Sequence, residues 1–269
     1  MKFRTVIRMV RMDNAVVENQ ASRMHVLGID IGGSAVKGAP VNISTGKLLA
    51  ERHRIETPEK ISPKHMARVV ADIAKHFEWR GPIGIGFPGV VLNGVVKTAA
   101  NVDHDFIDCD LGRLVAKVAR CRTVKVINDA DAAGVAEMHF GAGKGRKGTV
   151  MLFTLGTGVG SALFRHGVLV PNTELGHVPH KGHDYEKDVA ASVRKDRGLS
   201  WHAWSKRLNG YLALMELLFS PDLIILGGGV SSKSEKFFPH LKTRAPLVAA
   251  QMHNAAGIVG AALHGGGKT

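Results

Sequence analysis

Two short runs in this chain place small residues where a hairpin turn would put them: Asp30-Ile31-Gly32-Gly33-Ser34 and Thr154-Leu155-Gly156-Thr157-Gly158, 156 − 32 = 124 residues apart. A turn without Cβ atoms lets backbone N–H groups close on a phosphate oxygen. One such turn is commonly no more than the steric need of a hairpin, but two at matching places in two halves point to a phosphate gripped between them. Asp30 ends an apolar run just before the first turn. It reads either as a ligand, through water, for a phosphate-bound Mg²⁺ or as an acceptor for the N–H groups of its own turn. Asn128-Asp129 follows the apolar run Val124 to Ile127 and precedes a helical pattern. Asp129 is then either a helix cap or, at the carboxyl end of a strand where open α/β folds bind ligands, a carboxylate that accepts a hydroxyl proton.

Behind the second turn lies Glu174-Leu175-Gly176-His177, in a polar stretch without helical or strand period. A carboxylate and an imidazole three residues apart can hold adjacent hydroxyls. With His180 and His183 the spacing also becomes His-x-x-His-x-x-His, but a Pro and a Gly intervene and no carboxylate or thiolate visibly completes a metal site. The triple Gly227-Gly228-Gly229 after Leu223 to Leu226 reads as a nucleotide contact or as a plain strand-to-helix turn. Neither Gly141 to Thr149 nor the terminal Gly267-Lys268-Thr269 has the spacing of a P-loop.

The elements that must position these residues follow from periodicity. His25 to Ile31 and Ala35 to Val41 read as a hairpin, residues 63–79 and 111–119 as amphipathic helices, and Ile83 to Phe87 and Val124 to Ile127 as strands. After a helix running from about Ala130 through Met138, Val150 to Leu155 repeats the opening hairpin. A helix over 201–219, the strand Leu223 to Leu226 and a last helix near 257–264 complete a second α/β half, so the chain looks duplicated.

Composition bounds the rest. With 36 Lys and Arg against 23 Asp and Glu, the formal charge of +13 calls for an anionic partner, and 45% hydrophobic residues suit a chain with a large core. Only Cys109 and Cys121 are present, which excludes a disulfide framework and fits a reducing cytoplasm. No run approaches the ~18 apolar residues of a membrane span, so no membrane partner is expected. Residues 1–23, with Arg4, Arg8 and Arg11 interrupting each apolar run, read as a tail. The expected division is 24–128 as a small α/β domain, 129–253 as a larger one, and a terminal helix of about 254–267 returning to the first.

Taken in order, Gly28-Ile29-Asp30-Ile31-Gly32-Gly33, Asn128-Asp129, Leu155-Gly156-Thr157-Gly158-Val159-Gly160, Glu174-Leu175-Gly176-His177 and Leu226-Gly227-Gly228-Gly229 resemble the ROK sugar kinases over about residues 24–265. The resemblance implies a two-domain actin-like fold (hexokinase-like, ribonuclease H-like) and phosphoryl transfer to a hexose in the interdomain cleft. Asp129 then corresponds to the catalytic base. Asn101, Asn128, Glu174 and His177 match sugar-binding positions, and Glu186 in Tyr185-Glu186 matches a later sugar-binding Glu. Donor contacts are expected from Asp30, Gly32, Gly33, Ser34, Lys37, Gly156, Thr157, Gly158, Gly227, Gly228 and Gly229, with Mg²⁺ at Asp30. Many ROK proteins carry a Cys-rich zinc motif after the Glu-x-Gly-His segment. No Cys follows Cys121 here, so zinc is not expected.

The branch lacking that motif, with short and strongly basic chains, is that of polyphosphate glucokinases and polyphosphate/ATP glucomannokinases, which this sequence resembles most. The substrates implied are glucose or mannose with polyphosphate and ATP. A polyanion suits a basic track, and Lys144, Arg146 and Lys147, then Arg194, Lys195 and Arg197, are its candidates. A strictly ATP-dependent hexose kinase is the alternative, and a sugar-responsive repressor a further one. The repressor requires a helix-turn-helix that the 23 residues before the first strand are too few to form, so no specific nucleic-acid partner is expected.

Overall fold

The run His25–Ile31 is apolar on both sides of the pleat, and it forms a strand, β1, covered on both faces. The computed structural model describes residues 24–58, 61–99 and 102–269. β1 pairs antiparallel with β2 (Ala35–Asn42) and parallel with β5 (Ile83–Phe87), which pairs parallel with β8 (Val124–Asn128). Short strands β3 (Lys47–Leu48) and β4 (His53–Glu56) both join β2. A hairpin of β6 (Val91–Leu92) and β7 (Val95–Val96) follows β5.

The second sheet repeats this plan. β9 (Thr149–Leu155) and β10 (Val159–Arg165) begin 149 − 25 = 124 and 159 − 35 = 124 residues after β1 and β2, so the two hairpins superpose in sequence without a gap. β9 pairs parallel with β14 (Leu223–Gly227) as β1 does with β5, and β11 (Val168–Val170) and β15 (Leu247–Ala249) form the edges. Even the faces agree. Val26 and Val150 point into the layer between the sheets, while Leu27 and Met151, one residue on, point to the outer layers.

Helices α1 (Pro63–His76) and α2 (Leu111–Ala119) cover the outer face of the first sheet. Ser62 caps α1 by accepting the His65 N–H, and the helix stops at His76, short of the expected 79, because Glu78 takes a left-handed φ of 49°. Helix α3 (Asp129–Phe140) and the last helix lie between the sheets. Short helices α4 (Glu186–Val189) and α5 (Ala191–Asp196) lead into α6 (Trp201–Phe219), which covers the outer face of the second sheet.

The last helix, α7 (Ala256–Gly265), lies on β1, β5 and α3. Any side chain at Gly260 would run into the Ala132 carbonyl of α3, so glycine there lets the two helices cross in backbone contact. On this arrangement we propose the units 24–128 with 254–267, and 129–253. Residues 1–23 lie outside the described residues.

Candidate active site

β8 delivers Asn128 and Asp129 at its carboxyl end, beside Phe87 and Gly86 of β5 and close enough to Asp30 of β1 to feel its charge. Asn128, not Asp129, caps α3: its Oδ1 accepts the N–H groups of Ala130 at 2.9 Å and Asp131 at 3.0 Å. Asp129, at the first helical position, is left with one short local bond, from Ala130 N–H at 2.8 Å. Burial pushes its carboxyl up to about 7, the negative charge of Asp30 adds to the rise, the Ala130 N–H works against it, and Glu174 and Asp131 add smaller repulsions. Burial likewise raises Asp30, against the pull of Lys37 and Arg52.

None of the hydrogen bonds to Asp30 expected from its own turn is seen among the described residues. Instead its carboxylate faces Gly257 of α7, where a Cβ would come within 2.8 Å of Asp30 Cγ. Among the described residues the acid therefore has no hydrogen-bond partner beside the first turn.

The hydroxyl-binding candidates converge on the same place. Asn128 Nδ2 donates to Glu174 Oε1 at 3.1 Å. His177 Nε2 lies 3.8 Å from Glu174 Oε2, and its Nδ1 lies 3.0 Å from Asp184 Oδ2. Burial would push the His177 imidazole down, but the Asp184 hydrogen bond with Glu186 and Glu174 outweighs it and holds the group above its ordinary value. Glu186 Oε2 accepts the Val159 N–H at 2.9 Å, which fixes it under the second turn. The tight strand pair β12 (Pro179–His180) and β13 (His183–Asp184) delivers Asp184.

The His-x-x-His-x-x-His spacing does not form a cluster. His180 stacks on Tyr185 at 4.0 Å between ring centroids, and His183 Nε2 pairs with Asp188 at 2.9 Å. The carboxylates that the sequence did not show beside His177 are Asp184 and Glu186. One donor atom from each of the three residues lies within 4.8 Å of the others, yet each already serves the contacts just described.

The glycines of the two turns divide by cause. Gly33 and Gly156 have negative φ, and a Cβ on either would meet nothing within 4 Å. Among the described residues nothing requires glycine there, and the open space is what an approaching ligand needs. Gly228, by contrast, has φ 80° and sits against the Leu155 backbone, so the strand-to-helix turn accounts for it, while Gly229 again opens to space.

The basic clusters separate. Lys144, Arg146 and Lys147 are exposed at the start of β9, whose seven residues carry the chain about 20 Å before the second turn begins. Adjacent in sequence, they lie at the opposite end of the strand from it. Arg194, Lys195 and Arg197 lie in and after α5, which is tied to that turn: Ser192 N–H donates to Gly156 O at 3.0 Å and its hydroxyl to Thr157 O at 2.7 Å. Arg194 stacks 3.9 Å over Trp201, and Arg197 reaches toward Asp188 at 3.8 Å. Asn101 lies outside the described residues.

A sequence model of the ROK family matches residues 26–192. The chain belongs to the ROK family. It is 43% identical over 242 residues to the polyphosphate glucokinase of Mycobacterium tuberculosis, covering 90% of this chain and 91% of that protein. Among solved structures it resembles the inorganic polyphosphate/ATP-glucomannokinase of Arthrobacter sp. strain KM, with TM-score 0.87 and 45% identity over 91% of this chain and 99% of that one. A ROK family glucokinase from Streptomyces griseus, solved with glucose and AMPPNP, shares the fold at TM-score 0.74 and 23% identity, covering 88% of this chain and 98% of that one. The fold is the actin-like, hexokinase-like one that the sequence resemblance implied.

Within this ROK chain, four polar residues of the site have no place in the motifs. Arg52 acts on Asp30, Asp184 on His177, and Asp131 and Asn172 pair beside Glu174. Asp131 alone carried a signal, as a second acid in the first turn of α3. Burial pushes its carboxyl to about 7, against the Asn172 N–H that it accepts.

Proposed function

We propose that this ROK protein transfers the terminal phosphoryl group of inorganic polyphosphate, and of ATP, to the 6-hydroxyl of glucose, with mannose as a second acceptor. The observation that carries the reading is the half-buried Asp129, raised to about 7 and set between two open glycine turns and the Asn128–Glu174–His177 cluster. The kinship to a polyphosphate glucokinase supports the choice of donor. In the transfer, the sugar oxygen forms a bond to the terminal phosphorus and the bridging P–O bond breaks. The shortened chain or ADP leaves, and the hydroxyl proton passes to Asp129. A base titrating near the working pH is matched to that task, and the loose transition state makes positioning by the turns comparably important.

Asn128, Glu174, His177, Glu186 and Asn101 would bind the sugar hydroxyls. Gly32, Gly33, Ser34, Lys37, Gly156, Thr157, Gly158 and the backbone at Gly227 to Gly229 would line the donor. Asp30, raised by burial and without a described hydrogen bond, fits an outer-sphere ligand of Mg²⁺. Such an ion, when bound, would neutralise charge on the donor oxygens. The track proposed for the polyanion runs from the second turn along α5 to Lys195 and Arg197. Cytoplasmic residence belongs to the same proposal and agrees with two free cysteines. Among the described residues no helix is long and apolar enough to cross a membrane.

The test is a coupled assay of glucose and mannose with polyphosphate and with ATP, at two ionic strengths. Turnover with polyphosphate is expected, with a KM that rises more steeply with salt than that for ATP. Neutralising Lys195 and Arg197 should flatten the polyphosphate slope more than neutralising Lys144, Arg146 and Lys147. Turnover with ATP alone would leave a strictly ATP-dependent hexose kinase, and no turnover together with specific DNA binding would leave a repressor. Equal slopes in both variants would remove the track.

A further inference from the structure

Beside the proposed sugar site, one side chain joins the two halves of the molecule by imitating a strand. Asn172 Oδ1 accepts the Val91 N–H at 2.9 Å while its Nδ2 donates to the Val91 carbonyl at 3.0 Å. The amide thus forms both bonds that an antiparallel neighbour would make to Val91, at the start of the β6–β7 hairpin of the first half. Asn172 itself sits in a left-handed conformation, φ 59°, which costs a side-chain-bearing residue energy and which Asn tolerates better than most.

What holds it there is Asp131. The fully buried carboxylate of Asp131 accepts the Asn172 N–H through Oδ2 at 2.7 Å, and its Oδ1 has no partner among the described residues. A buried acid with one oxygen unsatisfied is expensive. Its one described bond serves the conformation of Asn172.

The neighbours of this clasp belong to the sugar cluster. Asn172 is two residues from Glu174, and the intervening Thr173 carbonyl accepts the Ser161 hydroxyl. Asn128 Nδ2 donates both to Glu174 Oε1 and, at 3.2 Å, to the carbonyl of Gly89, two residues before Val91. The segments 89–91 and 172–174 are therefore stitched together twice, once by Asn128 and once by Asn172. The hairpin that Val91 opens leads on to Thr98, whose Oγ1 accepts the Val90 N–H at 2.9 Å.

We infer that Asn172, seated on Asp131, is a positioning residue that sets how the two halves close on the sugar and so fixes the Glu174 carboxylate. The inference rests on the proposal that Asn128 and Glu174 bind the sugar, and the experiment separates the two. Asn172→Gly keeps access to the left-handed backbone and removes the amide. Asp131→Ala removes its support, and Asp131→Asn restores an acceptor. Glu174→Gln serves as the reference for the sugar contact itself.

The expected result for Asn172→Gly is a rise of about 10-fold or more in the sugar KM, the size of one or two lost hydrogen bonds, with the donor KM within about twofold. Protection of the Val91 amide from hydrogen exchange should fall in the same variant. Asp131→Ala should follow it, and Asp131→Asn should recover most of the loss. If Asn172→Gly fails to fold, Asn172→Asp, which can accept from Val91 but not donate to it, should give an intermediate sugar KM. A normal sugar KM in the Asn172 variants, with a raised one in Glu174→Gln, would overturn the clasp and leave the sugar site standing. An equal rise in sugar and donor KM would reduce Asn172 to a structural role and overturn it as well. A normal sugar KM in Glu174→Gln would instead overturn the assignment on which the inference rests.

Discussion

The strands of hairpins β1–β2 and β9–β10 begin at a common offset of 124, yet the two hairpins pair in registers one residue apart and set different chemistry beside their turns. Where the first has Asp30 facing Lys37 across the register, the second has Thr154 facing Gly160, with Ser161 at the sequence position of Lys37. The first hairpin carries charge: an acid raised by burial, tempered by Lys37 and Arg52. The second carries hydroxyls and spends them on its neighbours. Ser161 donates to the Thr173 carbonyl and accepts the Leu175 N–H at 3.0 Å, so it braces the loop that holds Glu174. The two halves repeat one strand plan with a shifted register. Side chains then assigned the proposed metal to one and the support of the sugar loop to the other.

The largest expected effect tests that asymmetry. If only the first hairpin serves a cation, Asp30→Asn should lower kcat on the order of 10³-fold, matching the several kcal/mol that a metal contributes to charge stabilisation, and should raise the Mg²⁺ concentration needed for half-activation. Thr154→Val should change kcat by less than about threefold, since no charge is lost. Steady-state rates against Mg²⁺ for both variants decide it. Comparable losses would mean that the two hairpins share one role.

A smaller effect sharpens what they do share. Gly33→Val and Gly156→Val add a side chain in open space, so each should raise the donor KM about 10-fold, the loss of about 1.4 kcal/mol of phosphate contact, while leaving the melting temperature unchanged. Gly228→Ala should do the reverse. Its φ of 80° and the Leu155 backbone against it predict a loss of roughly 1 kcal/mol or more in stability. Donor kinetics and thermal melts on the three variants separate a ligand-facing glycine from a fold-facing one.

Which of these features the sequence disclosed follows from how locally each is determined. Helix α2 over 111–119 and α6 over 201–219 form where periodicity places them, because Asp110 and Ser200 cap them and one face of each is apolar. The repeated hairpins were equally legible, their apolar strands and small-residue turns lying within 18 residues. Strands such as β6, β7, β12, β13 and β15, two or three residues long, have no period to detect and owe their existence to their partners. The same holds for the clasp, whose Asn172 and Val91 lie 81 residues apart. Asp184 reaches His177 only because Lys181 and Gly182 both adopt positive φ and turn the chain back. The basic loop at 144–147 stands before the second hairpin, as its sequence places it, with the whole of β9 between it and the second turn.

The smallest effect concerns the cost of holding Asp129 between the hairpins. Its carboxyl is raised from an ordinary 3.8 to about 7, first by burial and then by Asp30, so in the folded protein it binds its proton more tightly than in the unfolded chain. Stability must then fall as the pH rises from about 4 through about 7, because over that window the unfolded state has lost a proton that the folded state still holds. Asp129→Asn cannot ionise, and should therefore raise the melting temperature at pH 8 by about 2–4 °C, the shift that ~1 kcal/mol makes in a chain of this size, while activity is lost. The gain should shrink toward zero near pH 4, where both proteins are neutral at this position. Because the first hairpin supplies the charge and the second does not, Asp30→Asn should reproduce part of the gain at pH 8, and Thr154→Val none of it. Melting curves for the three variants at both pH values test whether the first hairpin adds, through Asp30, to the burden that burial places on Asp129.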